Sequence, residues 1–507
     1  MTVATPEVEP AHWARGRWAP EQARGTLARV EIRGQLEALT PLHLGGGEGD
    51  PFVDLPLLRD VESGVPLLCG SSLAGALRAY LGALAGDDAM REAIRTLFGT
   101  KEQGQGTLVI EDARGRWLEG STGPELRSGV ALAVATRTAA HDALYAIELW
   151  PAGTTFDLRL ELLLKGDAGD VASLAALLTA LRGLRAEQSG IRLGARTRRG
   201  YGVVTTHAWT VTLHDLRTPA GLLTWLTAPY EHVRRPPDAA PSDADLAVLP
   251  PFVDVVPWGD ARRALTIALE CGVNGSLLVR GNRASNTSSP DTAHLHSERP
   301  GTRRRARLVP VLPGTSLAGA LRARALRIAN TVGAPTSLVD DIFGPRPSRN
   351  QPGVAGAPNL WASRLRVDET MIEDARTNLV QSRVAIDRFT GGAYPTALFD
   401  EQPVFAHDNT RLRLMLRLAA PTQHEIGLVV LVIKDLWTAD LPVGGGQAIG
   451  RGRLRGIAGD ISLPQGNQVA IRAIDTEGRL DIRGDRAALE ACVAALHAYA
   501  AAKGGAL

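Results

Sequence analysis

Apolar and polar residues alternate along two long segments of the chain, residues 27–44 and 263–279. An alternation with period two puts the apolar side chains on one face of an extended chain, so each segment predicts a half-buried β-strand. A Gly-rich or polar loop follows each segment, and then a short apolar strand over 65–68 or 307–312. The two halves of the chain therefore begin with the same order of predicted elements.

The next element is nearly the same phrase in both halves, LCGSSLAGALRAYL at 68–81 and LPGTSLAGALRARA at 312–325. Leu, Ala and Arg are good helix formers, so each phrase predicts a helix. Ser71 or Ser72 and Thr315 or Ser316 are the predicted N-caps, and each helix is predicted to run to a Phe-Gly stop. Self-similarity at a long offset indicates a tandem repeat.

The rest of each half also repeats. A long hairpin, a helix, and a Gly/Arg loop leading into a strand follow in the same order; they lie at 129–156, 172–184 and 193–204 in the first half, and at 383–405, 423–437 and 443–456 in the second. Strand, helix, hairpin, helix and strand make the βαββαβ ferredoxin-like pattern. RNA-recognition modules have this topology, and their sheet binds single strands. The predicted fold class is α+β, with two ferredoxin-like domains.

The predicted domain organisation follows from these boundaries. A Pro/Asp-rich stretch between the copies indicates a linker, and residues 486–502 near the end of the chain predict a helix. The predicted units are an N-terminal tail (1–25), a first domain (26–215), a linker (216–262), a second domain (263–465) and a C-terminal extension (466–507).

Composition narrows the class of protein. The 507 residues are 44% hydrophobic and 22% charged, with a net charge of +2, as in ordinary soluble globular proteins. Three widely spaced cysteines favour reduced thiols in the cytoplasm and provide no zinc-ligand spacing. The chain shows no signal peptide, no apolar run long enough to span a membrane, and neither a Rossmann nor a Walker motif.

The motifs, taken in order, resemble those of the RAMP superfamily of CRISPR-associated proteins. They are LHLGGG at 42–47, the G-[ST]-S-L-x-G-A-L-R phrase, the Phe-Gly stop and the closing Gly/Arg loop, and most occur twice. The strongest resemblance is to the backbone subunit of type III effector complexes, here as a tandem fusion. It implies two RRM-like RAMP domains with inserted thumb hairpins, which assemble with other CRISPR effector subunits along a guide RNA.

The resemblance also implies cleavage of target RNA, by an aspartate in the loop between the first strand and the first helix, with Mg²⁺ or another divalent ion as cofactor. Asp54 falls on the family position, and Asp50 and Asp60 are nearby competitors. In the second copy Asp291 is the only aspartate of the loop. A carboxylate there can accept the proton of an attacking 2′-OH or hold a divalent ion, whereas the plainer interpretation is a solvated loop acid.

Two histidines beside Asp291 have the same two interpretations. His294 and His296 are either acid–base partners or solvated loop residues. His43 matches the strand-end histidine of the family, with a core or cap histidine as the alternative, and Leu278 or Val279 in the second copy weakens any requirement for a histidine. No metal ligands are assigned.

The predicted RNA contacts are helix starts and Gly/Arg loops. Free N–H groups after a glycine suit phosphate, and Gly and Arg allow close approach to an RNA backbone; caps, tight turns and solvated arginines are the alternatives. The predicted RNA-binding residues are His43, Gly70, Ser71, Ser72, Arg78, Arg196, Arg198, Arg199, Gly200, Gly202, Gly314, Thr315, Ser316, Arg322, Arg388, Gly450, Arg451, Gly452 and Arg453. Asp387 and Arg388 are predicted at a thumb base, where the first copy has Ala133 and Val134.

Three functions fit the sequence. The favoured one is a guide-RNA-binding backbone subunit that cleaves complementary target RNA. The second is a scaffold that binds the guide and never cuts. The third is a guide-processing endoribonuclease, which usually needs a well-placed His with Tyr or Lys, and no such cluster stands out.

Overall fold

The computed structural model describes residues 25–47, 49, 53–102, 104–132, 138–185, 190–227, 246–281, 290–345, 361–474 and 479–504. Within these ranges the chain is mixed α+β, with antiparallel sheets and helices in two successive domains. The predicted fold class is confirmed at that level, and the ferredoxin-like assignment stays a prediction.

Within the residues that the structure describes, the first domain contains ten strands and three α-helices, and a fourth α-helix follows it. The strands are β1 (Ala28–Ala38), β2 (Leu67–Leu68), β3 (Gly99–Thr100), β4 (Gly104–Gln105), β5 (Leu108–Ile110), β6 (Ala113–Arg116), β7 (Glu125–Leu132), β8 (Ala139–Leu149), β9 (Thr155–Leu164) and β10 (Val204–Asp215). The helices are α1 (Gly70–Leu84), α2 (Asp88–Phe98), α3 (Gly169–Gly183) and α4 (Pro219–Thr227). The sheet order is β10-β1-β9-β6-β2 with β5 also on β9, and β7 and β8 form a separate thumb hairpin.

The second domain repeats this plan and extends it. Its strands are β11 (Ala264–Asn274), β12 (Ser276–Leu277), β13 (Thr292–Ala293), β14 (His296–Pro300), β15 (Ala306–Leu312), β16 (Leu365–Val367), β17 (Thr370–Glu373), β18 (Gln381–Ile386), β19 (Ala393–Gln402), β20 (Val404–Phe405), β21 (Arg411–Ala419), β22 (Thr438–Pro442), β23 (Arg453–Ser462), β24 (Gln468–Ala473) and β25 (Leu480–Gly484). The helices are α5 (Gly314–Val332), α6 (Ser337–Phe343), α7 (Gln423–Trp437) and α8 (Arg486–Gly504). The sheet order is β14-β15-β17-β21-β11-β23-β24-β25, and β18 and β19 form the second thumb hairpin.

The alternation that predicted strands also builds the cores. Every second side chain of β9 and of β21 is buried, including Leu160, Leu162, Leu414 and Leu418. Each fully buried leucine contributes about 1.5–3 kcal/mol relative to an exposed one. These faces pack against α1–α3 in the first domain and α5–α7 in the second, so each half has its own hydrophobic core.

The helix starts differ from the sequence prediction. Helix α1 begins at Gly70 with Cys69 as its N-cap, and α5 begins at Gly314 with Pro313 as its N-cap, neither with a side-chain cap. The predicted Ser and Thr caps are therefore wrong, because those residues lie within the first turn. The glycines occupy the starts for a steric reason: a Cβ would lie 2.2 Å from the Ile110 carbonyl oxygen at Gly70, and 2.3 Å from that of Val367 at Gly314.

Each predicted helix is in fact two helices. Helices α1 and α5 end before the Phe-Gly motifs. These motifs end the next helices instead, α2 at Phe98 and α6 at Phe343. Asp87 is the N-cap of α2, because its carboxylate accepts a 2.8 Å hydrogen bond from the Met90 amide. Helix-forming residues flank the short segment between the two helices, so the sequence pattern alone does not reveal where the first helix ends.

Residues of the predicted linker and of the C-terminal extension pack against the two domains. Leu246 and Phe252, from the predicted linker, are buried in the core of the first domain. The amide of Trp258 donates a 2.8 Å hydrogen bond to the Thr179 hydroxyl of α3. In the extension, β24 and β25 add to the edge of β23, and α8 packs on α7 so closely that a Cβ on Gly427 would lie 2.3 Å from the Cys492 carbonyl oxygen.

Asp387 and Arg388 lie at the tip of the second thumb hairpin, not at its base. They follow β18 directly, in the turn that leads to β19. The carboxylate of Asp387 accepts hydrogen bonds from the amides of Phe389 (2.7 Å) and Thr390 (3.0 Å), so it shapes the turn. The corresponding Ala133 and Val134 lie outside the described residues.

Gly314 and Gly319 in α5 provide a matched test of the steric argument. We expect Gly314→Ala to lower the melting temperature, because backbone atoms surround the missing Cβ. Gly319→Ala should raise stability by up to about 1 kcal/mol, because that glycine faces open space and alanine is the better helix former. Thermal unfolding of both variants measures this, and equal melting temperatures would contradict it.

Candidate functional site

Asp54 lies in the loop after β1, alongside the second strand of the first thumb hairpin. Its Oδ2 accepts a 2.7 Å hydrogen bond from the Ala146 amide. The next residue, Leu55, forms a parallel bridge with Ile147. The side chain is exposed, so the backbone of the thumb orients a carboxylate that solvent and a ligand can reach.

Asp291 occupies the equivalent position in the second domain. Its Oδ2 accepts a 2.9 Å hydrogen bond from the Asp400 amide. The next residue, Thr292, pairs in parallel with Glu401, one residue further along β19. Asp291 is also exposed. The two aspartates that the sequence selects from very different loops therefore make the same contact with the same strand of their thumbs.

Asp60, the alternative to Asp54 in the same loop, stabilises the local turn. Its Oδ1 accepts hydrogen bonds from the amide (2.9 Å) and hydroxyl (2.6 Å) of Ser63, and its Oδ2 accepts one from Arg114 (3.1 Å). Hydrogen bonds from Ser63, with help from Arg114, hold the pKa of the Asp60 carboxyl below its usual range. Asp50, the other competitor, lies outside the described residues.

His43 supports the backbone beneath Asp54. It is buried, and its Nδ1 lies 2.8 Å from the Glu148 carbonyl oxygen of β8. Its own carbonyl accepts the Ala195 amide (2.9 Å), and the Leu278 carbonyl accepts the Gly445 amide (2.7 Å) in the same way. Leu278, one of the two residues that the sequence offered, is thus the counterpart of His43.

His294 is a core residue of the second domain. Its Nδ1 accepts a 3.1 Å hydrogen bond from the Val279 amide, and its Nε2 donates to the Val311 carbonyl oxygen at 3.0 Å. Burial, together with the neighbouring His296, lowers the pKa of His294 to about 4. The solvated interpretation of His294 is wrong, and both ring nitrogens are already engaged.

The first Gly/Arg loop lies at the seam between the domains. The guanidinium of Arg199 approaches the carbonyl oxygens of Phe343 (3.4 Å) and Leu365 (3.5 Å) in the second domain. A Cβ on Gly200 would lie 2.3 Å from the Glu369 amide nitrogen. Burial, together with the charge of nearby Arg192, lowers the pKa of Arg198.

Close backbone approach explains the last glycine of both loops. Gly202 and Gly452 have φ angles of +73° and +76°, and a Cβ on either would lie 1.9 Å from a carbonyl oxygen, that of Leu193 or Val443. Arg196 of the first loop stacks on the Tyr145 ring, with its guanidinium carbon 4.2 Å from the ring centroid.

The second loop is partly exposed. Gly450 and Arg453 are exposed, and the Arg453 guanidinium donates to the Ala439 carbonyl oxygen at 2.8 Å. Arg451 is buried; its Nη1 donates to Glu401 and its Nη2 to Gln381, both at 2.8 Å. Its guanidinium thus joins the loop to both thumb strands.

The helix starts differ between the domains in exposure. Ser71 and Ser72 are exposed, whereas Thr315 and Ser316 are half-buried. The cause is the first Gly/Arg loop, since a Cβ on Gly314 would also lie 2.4 Å from the Arg199 carbonyl oxygen.

The remaining predicted RNA contacts occupy different surroundings. The Gly70 amide donates to Asp112 at 2.7 Å. Arg78 and Arg388 are exposed, whereas Arg322 pairs with Asp340. The RNA-binding roles of all these residues stay predictions.

Sequence reasoning missed a buried ion-pair cluster at the seam. The Glu369 carboxylate meets the guanidinium groups of Arg127 and Arg299, and Nη2 of Arg127 also donates to the Ser297 hydroxyl at 2.8 Å. Burial opposes ionisation of Glu369, but the two arginines outweigh it and hold its pKa below the ordinary value. Arg127 and Glu369 are 242 positions apart, so no local pattern reveals the pair.

A resident metal does not fit the donors that the described ranges offer. No group of three or more His, Cys, Asp or Glu side chains converges there. Each candidate site presents one aspartate held by a backbone amide. The predicted divalent ion therefore stays a proposal about the reaction conditions.

Comparison with known proteins gives three matches. The model of the RAMP superfamily matches residues 35–205 and 296–455. Two proteins named CRISPR system Cms endoribonuclease Csm3 are similar: that of Mycobacterium tuberculosis is 36% identical over 102 residues (18% of this chain, 43% of the relative), and that of Enterococcus italicus is 31% identical over 99 residues (17% and 46%). The chain thus spans less than half the length of these curated relatives.

Two further observations bear on the sequence analysis. Cys69, Cys271 and Cys492 form no disulfide. Among the helices that the structure describes, none is long and apolar enough to cross a bilayer.

The buried His294 predicts a pH dependence of stability. Its pKa is about 4 in the folded chain against an ordinary 6.5, so the unfolded chain binds more protons between these values. Stability should fall as the pH drops from about 6.5 towards 4, by up to about 3 kcal/mol at roughly 1.4 kcal/mol per pKa unit. Urea unfolding at pH 7.5 and 5.0 measures the loss.

Two variants assign this loss to one ring. His294→Gln should be less stable at pH 7.5 and should lose less on acidification. Exposed His497→Gln should keep the wild-type difference. An unchanged pH dependence in His294→Gln would contradict the assignment.

Proposed function

Since the chain belongs to the RAMP superfamily of CRISPR-associated proteins and carries two RAMP domains in tandem, we propose that it is a backbone subunit of a type III RNA-guided effector complex. In this proposal it binds guide RNA and cleaves complementary target RNA at Asp54 and Asp291. The observation that carries it is the hydrogen bond from a thumb amide to each aspartate, made in the same register in both domains.

The proposed reaction is an attack of a target 2′-OH on the adjacent phosphorus. The carboxylate accepts the 2′-OH proton, the new O–P bond forms, and the bond from phosphorus to the 5′-oxygen breaks. The products are a 2′,3′-cyclic phosphate and a 5′-OH end, after the leaving oxygen takes a proton from water. A positioned general base contributes about 10²–10⁴-fold to such a step. The thumb amide contributes by holding the carboxylate in one orientation.

Exposed apolar side chains on the thumbs support this geometry. In-line attack needs a nucleotide splayed out of the guide–target duplex, and apolar wedges between base steps unstack them. Such residues line both hairpins: Val130, Leu132 and Leu144 on the first, and Val384, Ile386, Phe389 and Leu398 on the second. Phe389 at the tip is 96% exposed. We propose that each thumb separates bases beside its own aspartate.

Guide binding is proposed for the thumb side of the domains. On the β1–β9 face of the first sheet, Arg29 pairs with Glu161 (2.9 Å), and Arg33 and Arg159 both pair with Glu31 (2.7 and 2.9 Å). Arg159 also pairs with Glu111 (3.2 Å), so three glutamates balance the three arginines and that face adds little to the attraction of a phosphate chain. Exposed cations such as Arg388 are better suited.

The scaffold and guide-processing alternatives make different use of the same chain. A scaffold needs no pair of equivalent aspartates at the thumbs. A guide-processing site usually needs a well-placed histidine with a tyrosine or lysine, and His294 beside Asp291 is buried with both ring nitrogens hydrogen-bonded. We propose guide RNA, target RNA and other effector subunits as partners, in a cytoplasm consistent with the unpaired thiols.

Isosteric variants of the aspartates test the proposed cleavage. Asp54→Asn and Asp291→Asn keep an acceptor for the thumb amide and remove the base, so each should slow one specific product by about 100-fold or more. The guide-loaded complex is assayed with an end-labelled complementary RNA on a sequencing gel.

Asp60→Asn is the matched control, because Asp60 belongs to the same loop but serves its own turn; all products should persist. Unchanged products in the Asp54, Asp291 and double variants would leave the scaffold function. Cleavage in EDTA tests the divalent-ion proposal separately, and undiminished rates there would reject it.

Arg388 tests RNA binding by the second thumb. Arg388→Ala should lower affinity for target RNA and reduce the slope of log affinity against log salt by about 0.7–0.9, the value of one phosphate contact. Arg486→Ala in α8 removes another exposed arginine, one that pairs with Glu490 (2.7 Å), and should leave the slope unchanged. Equal slopes for both variants would exclude a phosphate contact at Arg388.

A further inference from the structure

Three equivalent positions meet at the base of each thumb hairpin. Two face each other across the hairpin, Arg127 and Ile147 in the first domain, Gln381 and Glu401 in the second. The third is the residue before the last glycine of the Gly/Arg loop, Tyr201 or Arg451. The strand register is the same in both hairpins, and the side chains at these positions differ.

In the second domain the three side chains bond to one another. Arg451 donates to Glu401 and to Gln381, both at 2.8 Å. Arg451 and Glu401 are both buried. The second thumb is therefore held by its own domain, at the residue that pairs with Thr292 beside Asp291.

The first domain has no acid at these positions. Ile147 stands where the second domain has Glu401, and Arg127 stacks on Tyr201, its guanidinium carbon 5.5 Å from the ring centroid. Glu125 in the same strand approaches Arg127 at 2.8 Å. The second acid comes from the other domain, since Arg127 also pairs with Glu369, whose side chain has no exposed surface.

A short path connects this pair to the candidate cleavage site. Arg127 lies opposite Ile147 in the first thumb, and Ile147 bridges Leu55 on its other side. The amide before it, that of Ala146, holds Asp54. The position of Asp54 thus depends on the first thumb hairpin, which the second domain holds through the Arg127–Glu369 pair.

We propose that Glu369 of the second domain is a positioning residue for Asp54, whereas Glu401 positions Asp291 within the second domain. This inference rests on the proposed cleavage function. It predicts an asymmetry. Residues of the second domain position both aspartates, so the site at Asp54 is complete only when the first domain is docked on the second.

The test compares isosteric variants in the guide-loaded complex under single-turnover conditions. Glu369→Gln should slow the Asp54-dependent product by about tenfold or more, since small misplacements of a catalytic group are costly, and should leave the Asp291-dependent product unchanged. Glu401→Gln should do the reverse. Glu369→Asp, which keeps the charge, should recover part of the first product.

The internal control is the second product of the same chain. A general loss of folding or RNA binding lowers both products together, and that result would overturn the inference, as would an unchanged first product. Arg127→Gln removes the first-domain partner of the same ion pair and must also reduce the Asp54-dependent product selectively. This variant keeps the test open if Glu369→Gln does not assemble.

Hydrogen exchange separates this inference from the proposed cleavage. In Glu369→Gln, amides of residues 53–57 and 144–149 should exchange faster, while 290–294 and 398–402 keep wild-type rates. If Asp54→Asn leaves every product intact, the cleavage proposal fails, and exchange alone then decides the positioning role. Unchanged exchange at 144–149 would overturn it.

Discussion

The Glu369 carboxylate lies fully buried between the guanidinium groups of Arg127 and Arg299, and the arrangement of the two domains depends on this contact. Burying a charge is costly unless it is paired, and removing one partner of a buried pair costs about 3–5 kcal/mol. Neither domain can turn away without exposing or stranding these groups. The seam therefore sets the position of the first thumb relative to the second domain, and with it the position of Asp54.

The two domains show how one backbone plan carries two sets of side chains. The thumbs keep the same register, and Asp54 and Asp291 accept equivalent amides from them. The contacts below them have diverged, with an ion pair inside the second domain and an aromatic contact plus an interdomain ion pair in the first. The position of the two aspartates against their thumbs is the same in both domains, whereas the contacts that support it differ.

Local patterns in the sequence predicted what depends on local chemistry. Alternation gave the central strands, and the repeated phrase gave α1 and α5. The hairpins predicted at 129–156 and 383–405 overlap β7–β8 and β18–β19. The choice of Asp54 and Asp291 came from the resemblance to the family loop, and the structure puts both at the same thumb position.

The remaining features depend on contacts between distant parts of the chain. The helix caps were wrong because Ile110 and Val367 dictate where glycine must stand. Burial of Phe252 and of Glu369 arises from tertiary packing, which no spacing along the chain encodes. Asp387 lies at the thumb tip because β18 ends at Ile386, where the turn to β19 begins.

The most direct measurement is a structure of the complex with guide and a non-cleavable target RNA. We predict one splayed target nucleotide at each thumb, with its scissile phosphate beside Asp54 or Asp291 and with the thumb amide still bound to the carboxylate. A target strand that passes both thumbs with its phosphates out of reach of either aspartate would contradict the account.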